Sequence, residues 1–179
     1  MASELLLLPI GDIELWVLDA LEKHLAATFE TRVERRDSIA LPGEAFDPAR
    51  AQYSSSYLLG KLPRLIEPEK QEMVLAITDV DLHAPGLNFV FGEAEFGGRC
   101  AVISLARLRQ GFYALPDDRR LLSERAKKEA GHELGHVFGL EHCPDRLCVM
   151  HFSNSLSDTD RKSSSFCPSY QARLRKPGK

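Results

Sequence analysis

Apolar residues fall into two rhythms along the first two thirds of the chain. Residues 4–10 form a short apolar run, unbroken after Glu4, that stops at Gly11 and Asp12, the pattern of a strand buried on both faces. From there the spacing lengthens. Ile13, Trp16, Val17, Ala20, Leu21, His24 and Leu25 share one helical face, with Asp12 as the expected N-cap. A second strand is predicted over residues 31–35, before a loop marked by Pro42 and Gly43. Asp47 and Pro48 read as N-cap and first position of a helix over residues 49–62, ending near Gly60 and Pro63. Residues 73–78 form a third, strongly apolar strand. Two more come at residues 88–91 and 100–105, with a loop over residues 92–98 between them. A long helix then runs from about Asp117 to Gly139, with Ala126, Ala130, Leu134 and Val137 inward.

This order, β-α-β-α-β-β-β-α, predicts an α/β sandwich whose last helix carries the chemistry. At 179 residues the chain suits one compact domain, and such a domain buries roughly 70% of its unfolded surface without needing staples. Composition changes the picture by exclusion. A net charge of −3 gives no footprint for nucleic acid or an anionic membrane, and Arg173, Arg175, Lys176 and Lys179 read as a short solvated tail. The run Leu5–Leu8 is shorter than a signal-peptide core and lacks a basic leader. Nor does any stretch reach the ~20 apolar residues that span a bilayer. A cytoplasmic, monomeric protein is therefore expected, and its four cysteines read as metal ligands or buried thiols rather than disulfides.

The chemistry is concentrated in residues 132–142, His-Glu-Leu-Gly-His-Val-Phe-Gly-Leu-Glu-His. On a helix, His132 and His136 lie one turn apart on one face, where two imidazoles can hold a single zinc. Glu133 is offset by one position and flanks the metal without ligating it, which suits a general base acting on metal-bound water. A straight helix would carry residue 142 about 15 Å beyond His132 along the axis. Gly139 resolves this, because glycine readily takes the left-handed conformation that ends a helix and lets His142 return under the metal. Three histidines leave a fourth position open, as in catalytic zinc sites. The sequence thus points to peptide-bond hydrolysis by zinc-activated water and Glu133, which would take the water's proton and return it to the leaving amine.

The extended motif resembles the metzincin metallopeptidases, and the residues after His142 narrow the likeness to the archaemetzincins. Cys143 directly succeeds the third histidine, four residues separate it from Cys148, Met150 comes two later, and Cys167 lies downstream. The resemblance implies a metzincin-like α+β fold: a mixed twisted sheet above the cleft and a small C-terminal lobe below it. The boundary would fall between residues 1–139 and 140–179. It also implies that Met150 forms a turn beneath the zinc-bound imidazoles, and that an edge strand within residues 88–95 binds substrate by strand addition. Four cysteines of the family form a structural zinc site. Here the chain departs from the pattern: position 170 holds tyrosine, and sixteen residues separate Met150 from Cys167, one fewer than usual. Cys143, Cys148 and Cys167 remain, with His151 the nearest alternative fourth ligand and Cys100 the only other thiol. The other reading of these residues is a small buried thiol cluster.

Outside the motif, His24 reads as a packing residue, His83 as a surface residue of an acidic loop, and Asp79 and Asp81 as turn formers or cleft carboxylates. Two rivals to a peptidase remain: an aminopeptidase or amide hydrolase of short substrates, and an occluded zinc-dependent binding protein. Glu133 argues for chemistry, since a purely structural zinc needs no base.

Overall fold

The computed structural model describes residues 4–66 and 72–174. Its main sheet has five strands in the order β2-β1-β5-β8-β7: β1 (Glu4–Pro9), β2 (Arg32–Arg35), β5 (Glu72–Thr78), β7 (Gly92–Ala94) and β8 (Cys100–Ser104). All neighbours run parallel except β7, which pairs antiparallel with β8 as the edge, Glu93 opposite Val102. Helices α1 (Leu15–Phe29) and α3 (Arg119–Val137) cover one face around Leu5, Leu7, Leu75, Ile77 and Ile103. On the other face α2 (Ser55–Ile66) packs on Leu6, Leu8, Val74, Ala76 and Val102. Burial on both faces explains why these strands read as continuous apolar runs rather than alternating ones. A three-stranded sheet of β3 (Phe46–Asp47), β4 (Gln52–Ser54) and β6 (Leu82–His83) flanks α2. The short helices α4 (Leu156–Arg161) and α5 (Pro168–Leu174) come after α3; Leu156 of α4 packs on the first core, while Tyr170 and Leu174 of α5 close a third cluster of Leu140, Cys143, Cys148, Val149, Met150 and Phe166.

Three expectations need correction. Asp47 and Pro48 do not open a helix: the Asp47 carboxylate accepts the Ala49 N–H at 2.9 Å, and the resulting turn joins β3 to β4. The helix starts only at Ser55, where the Ser54 hydroxyl accepts the Tyr57 N–H at 3.2 Å, and it runs through Pro63. Residues 88–91 are not a strand beyond one bridge, Val90 to Leu82. The Asn88 carbonyl is taken by side chains instead, Arg50 donating to it at 3.1 Å and Gln52 at 3.0 Å, and Arg50 also reaches Leu87 O at 2.7 Å. The edge strand, β7, does fall within residues 88–95, but in the part of them, from residue 92, that the apolar pattern assigns to a loop. At α1, Glu14 rather than Asp12 holds the N-cap position. The basic residues Arg175, Lys176 and Lys179 lie outside the described residues.

Candidate metal centre

The long helix α3 is capped by Asp118, whose carboxylate accepts the Leu121 N–H at 2.9 Å, and it carries the motif into the middle of the molecule. It ends as the spacing requires. Gly139 has φ +76°; its N–H reaches His136 O and the Leu140 N–H reaches Gly135 O, both at 2.9 Å, a complete Schellman motif. The chain turns back, and His132, His136 and His142 present ring nitrogens that all lie within 4.8 Å of one another.

Each of the two helical histidines is oriented from behind. His132 Nδ1 lies 2.9 Å from Val149 O, and His136 Nδ1 lies 2.8 Å from Leu140 O. A carbonyl can only accept, so both rings are protonated at Nδ1 and turn a bare Nε2 inward. Those two Nε2 atoms are 3.2 Å apart. Two facing lone pairs with no donor between them call for a cation, and tetrahedral zinc with bonds of ~2.0–2.1 Å spaces its ligands roughly 3.3 Å apart. The three rings therefore fit the ion.

Electrostatics point the same way. Burial, with the Lys162 ammonium second, holds His132 well below the usual imidazole range. Burial also lowers His136, and at His142 burial is joined by the neighbouring His136. All three favour the neutral form that binds metal. Glu133 moves the opposite way: burial first, then the Glu129 carboxylate, raise it well above the ordinary carboxylate range, partly offset by Lys162. A cation beside it would reverse that balance.

The turn around Met150 sits under this cluster. Cys143 N donates to Met150 O and Val149 N to Ser165 O, both at 2.9 Å, so the turn is tied into the C-terminal segment from both sides. A cavity of about 460 Å³ opens over the histidines, walled by residues 87–94 on one side and by Phe152, Ser153 and Asn154 on the other. Gly92 of the edge strand faces the base directly: a Cβ there would stand 2.7 Å from Glu133 Cγ. Among the functional residues not anticipated from sequence are Gly92, Gly135, Glu129, Lys162 and Phe152. Of these, Glu129 had a signal, since it lies one helical turn before Glu133 on the same face.

Other singled-out residues fall elsewhere. Asp79 and Asp81 do not line the cavity; Asp79 is forked by Arg109 at 2.9 and 3.0 Å, and Asp81 is bound by Arg107 and Gln52. His83 is not an exposed surface group: its side chain is 14% exposed and its Nε2 lies 3.9 Å from the Asp47 carboxylate. His24 is half-buried on α1 beside Thr28, apart from the metal cluster. Cys143, Cys148 and Cys167 do come together, with sulfurs within 4.8 Å, whereas neither His151 nor Cys100 joins them. His151 Nδ1 lies 2.9 Å from Cys143 O, and Tyr170 Oη donates to His142 O at 3.3 Å.

A mixed sheet over a long helix, closed below by a methionine turn under three convergent histidines, defines a zinc metallopeptidase of the metzincin type. The chain belongs to peptidase family M54, the archaemetzincins, whose family model matches residues 12–176. It is 44% identical to the archaemetzincin of Pyrococcus abyssi, over 98% of this chain and 96% of that one. The crystal structure of the Methanopyrus kandleri archaemetzincin superposes with a TM-score of 0.84 at 42% identity, covering 97% of this chain and 94% of that one. A zinc-dependent peptidase from Methanocorpusculum labreanum gives 0.85 at 31% identity, covering 96% and 100%.

Proposed function

We propose that His132, His136 and His142 hold the catalytic zinc of this metallopeptidase and that Glu133 is its general base. The observation that carries this reading is the pair of inward-facing Nε2 atoms 3.2 Å apart, with Glu133 buried beside His132 and lining the same cavity. Zinc supplies Lewis acidity, making water acidic enough to deprotonate near neutral pH and polarising a carbonyl. The protein's own groups do the rest. An extended peptide adds to the open edge of β7, which presents backbone N–H and C=O groups along the cavity. The Glu133 carboxylate, held against Gly92, takes a proton from the attacking water and delivers it to the departing amine. The walls, apolar at Leu87, Phe89, Phe91 and Phe152, shed water from bound substrate.

A second, structural ion at Cys143, Cys148 and Cys167 is part of the same reading. Tyr170 cannot complete that site, because its hydroxyl is engaged with His142 O and both burial and the nearby Cys143 raise its pKa. Water or an added ligand would take the fourth position. A boundary between an upper lobe ending at residue 139 and a lower one from 140 matches the separation of the C-terminal cluster from the two sheet cores. Among the described residues no helix is long and apolar enough to cross a membrane, and a cytoplasmic monomer suits the reduced cysteines.

The test is digestion of a random peptide library by zinc-loaded protein, read by mass spectrometry, with Glu133→Gln beside it. Cleavage is expected to fall about 10²–10⁴-fold in the variant while zinc content holds. Full activity in a zinc-replete Glu133→Gln protein would remove the base assignment. Products trimmed only from amino termini would select the aminopeptidase reading, and no cleavage with peptide still bound would select an occluded binder.

A further inference from the structure

Beside His132, in the floor of the same cavity, lies a buried charge pair to which the reaction described above assigns no step. Lys162 is buried to 1% side-chain exposure and Glu129 to 4%, with Nζ 3.8 Å from Oε1. Glu129 also accepts the Thr159 hydroxyl at 3.2 Å. The lysine is poorly compensated: besides Glu129, its nearest acceptor is His151 O at 3.2 Å. Desolvating two charges for so loose a contact is a weak way to stabilise a fold. The arrangement around it is orderly, however. The two carbonyls flanking Met150 are both claimed by donors, Val149 O by the metal-facing His132 and His151 O by Lys162, while Nζ itself sits 3.4 Å from His132 Nδ1. Glu129, three residues before His132 on α3, neutralises the cation at the point where helix and turn meet. The end of α4 is fastened to the same helix by Arg125, which forks Asp160 at 2.7 Å through both nitrogens, and by Lys128.

We propose that Lys162, balanced by Glu129, is a positioning residue that fixes the methionine turn against α3 and thereby aims His132 at the metal. The inference rests on the reading that the three histidines hold the ion. Without Lys162, His151 O loses its donor, and Glu129 keeps the Thr159 hydroxyl but, among the described residues, no counter-charge within 4 Å. The turn that supplies the acceptor for His132 keeps its backbone ties but loses its link to the Glu129 side of α3. Loss of such an outer partner ordinarily weakens metal binding about 10–100-fold.

The experiment separates aim from stability. Lys162→Met alone strands a buried carboxylate, so its melting temperature should fall. The double variant Lys162→Met/Glu129→Leu removes both charges and should recover thermal stability to the wild-type value. Zinc affinity, measured by chelator competition, is expected to stay about 10–100-fold weaker in the double variant. The visible d–d bands of its Co(II)-loaded form should stay shifted from wild type. Recovery of wild-type affinity and spectrum together with stability would reduce the pair to a structural contact and overturn the proposal. If the double variant does not fold, Lys162→Met, studied below its lowered melting temperature, carries the test; an unchanged Co(II) spectrum and zinc affinity there overturn it equally. Unchanged Co(II) bands in His136→Ala, with Lys162 and Glu129 intact, would instead refute the three-histidine reading on which the proposal rests.

Discussion

Gly135 lies between the two helical histidines, and its replacement by alanine gives the sharpest test of how the site is packed. In an ordinary helix interior, Gly→Ala stabilises by about 1 kcal/mol, because glycine loses more backbone entropy. Here a Cβ would stand 2.2 Å from Met150 Sδ, 3.0 Å from its Cε and 3.2 Å from Phe166 Cε1. Met150 is fully buried and Phe166 nearly so, leaving no free space into which the thioether can swing. Overpacking of a full core costs about 1–3 kcal/mol, and a 2.2 Å approach belongs at the upper end. Subtracting the helix gain leaves a net loss near 2 kcal/mol, or roughly 4–8 °C for a chain of this length. Gly131, one turn earlier on the same helix, is the internal control. Its Cβ would meet Val149 Cγ2 at 3.4 Å and Ser164 O at 4.0 Å, ordinary contacts. Gly131→Ala should therefore keep the propensity gain and rise by roughly 2–4 °C. The assay is thermal unfolding of metal-free protein by circular dichroism, with zinc affinity of the folded variants measured alongside. Gly135→Ala should also bind zinc more weakly, since the turn it displaces carries Val149 O, the partner of His132. Equal stabilisation by both substitutions would show that the turn does not pack on this helix face.

Gly139→Val should weaken zinc binding through His142, because its φ of +76° strains a β-branched residue by about 1–3 kcal/mol although no atom lies within 4 Å of the added Cβ; Gly139→Asn, which tolerates that conformation, should retain the site. The pH dependence of zinc binding is set by the histidines, whose folded values are lowered below 6.5 by burial, so the rings are already neutral above that pH. In a Glu133→Gln background, affinity should be flat from pH 8 down to about 6.5 and decline only as pH falls through the lowered values; a decline starting above 6.5 would contradict those shifts. Total zinc should fall between one and two ions per chain, with Cys148→Ser costing thermal stability more than catalytic-zinc affinity and Tyr170→Cys raising both occupancy and melting temperature. One zinc per chain, unchanged in Cys148→Ser, would leave only a cluster of buried thiols.

The parts of the fold visible in the sequence are those whose causes are local. A doubly buried strand needs an apolar run, so β1, β5 and β8 could be read directly, and the Schellman reversal at Gly139 could be deduced from ligand spacing alone. Where the deciding partner lay far along the chain, local patterns misled. Asp47-Pro48 carries helix-start chemistry, yet β4, held in parallel by the distant β6 with Tyr53 opposite Leu82, captures that segment into a hairpin. Residues 88–91 look like a strand, yet Arg50 and Gln52 occupy the Asn88 carbonyl from 38 and 36 residues away. Metal ligands belong to the first kind because one ion must be reached by residues of fixed reach, and that compresses them into an eleven-residue signature.

The groups that aim those ligands belong to the second kind. Lys162 has the appearance of a surface lysine after a short acidic helix, and nothing in its neighbourhood marks it as buried. Gly135 and Gly92 are informative only through what would collide with them, Met150 in one case and Glu133 in the other. The helix α3 reconciles the two levels. Its successive faces meet the Met150 turn at Gly135, the edge strand at Glu133 and the buried cation at Glu129, so the helix that carries the motif is held by three different segments of the chain. A substitution can thus leave all three histidines in place and still loosen the site, because their geometry depends on contacts that the motif does not contain.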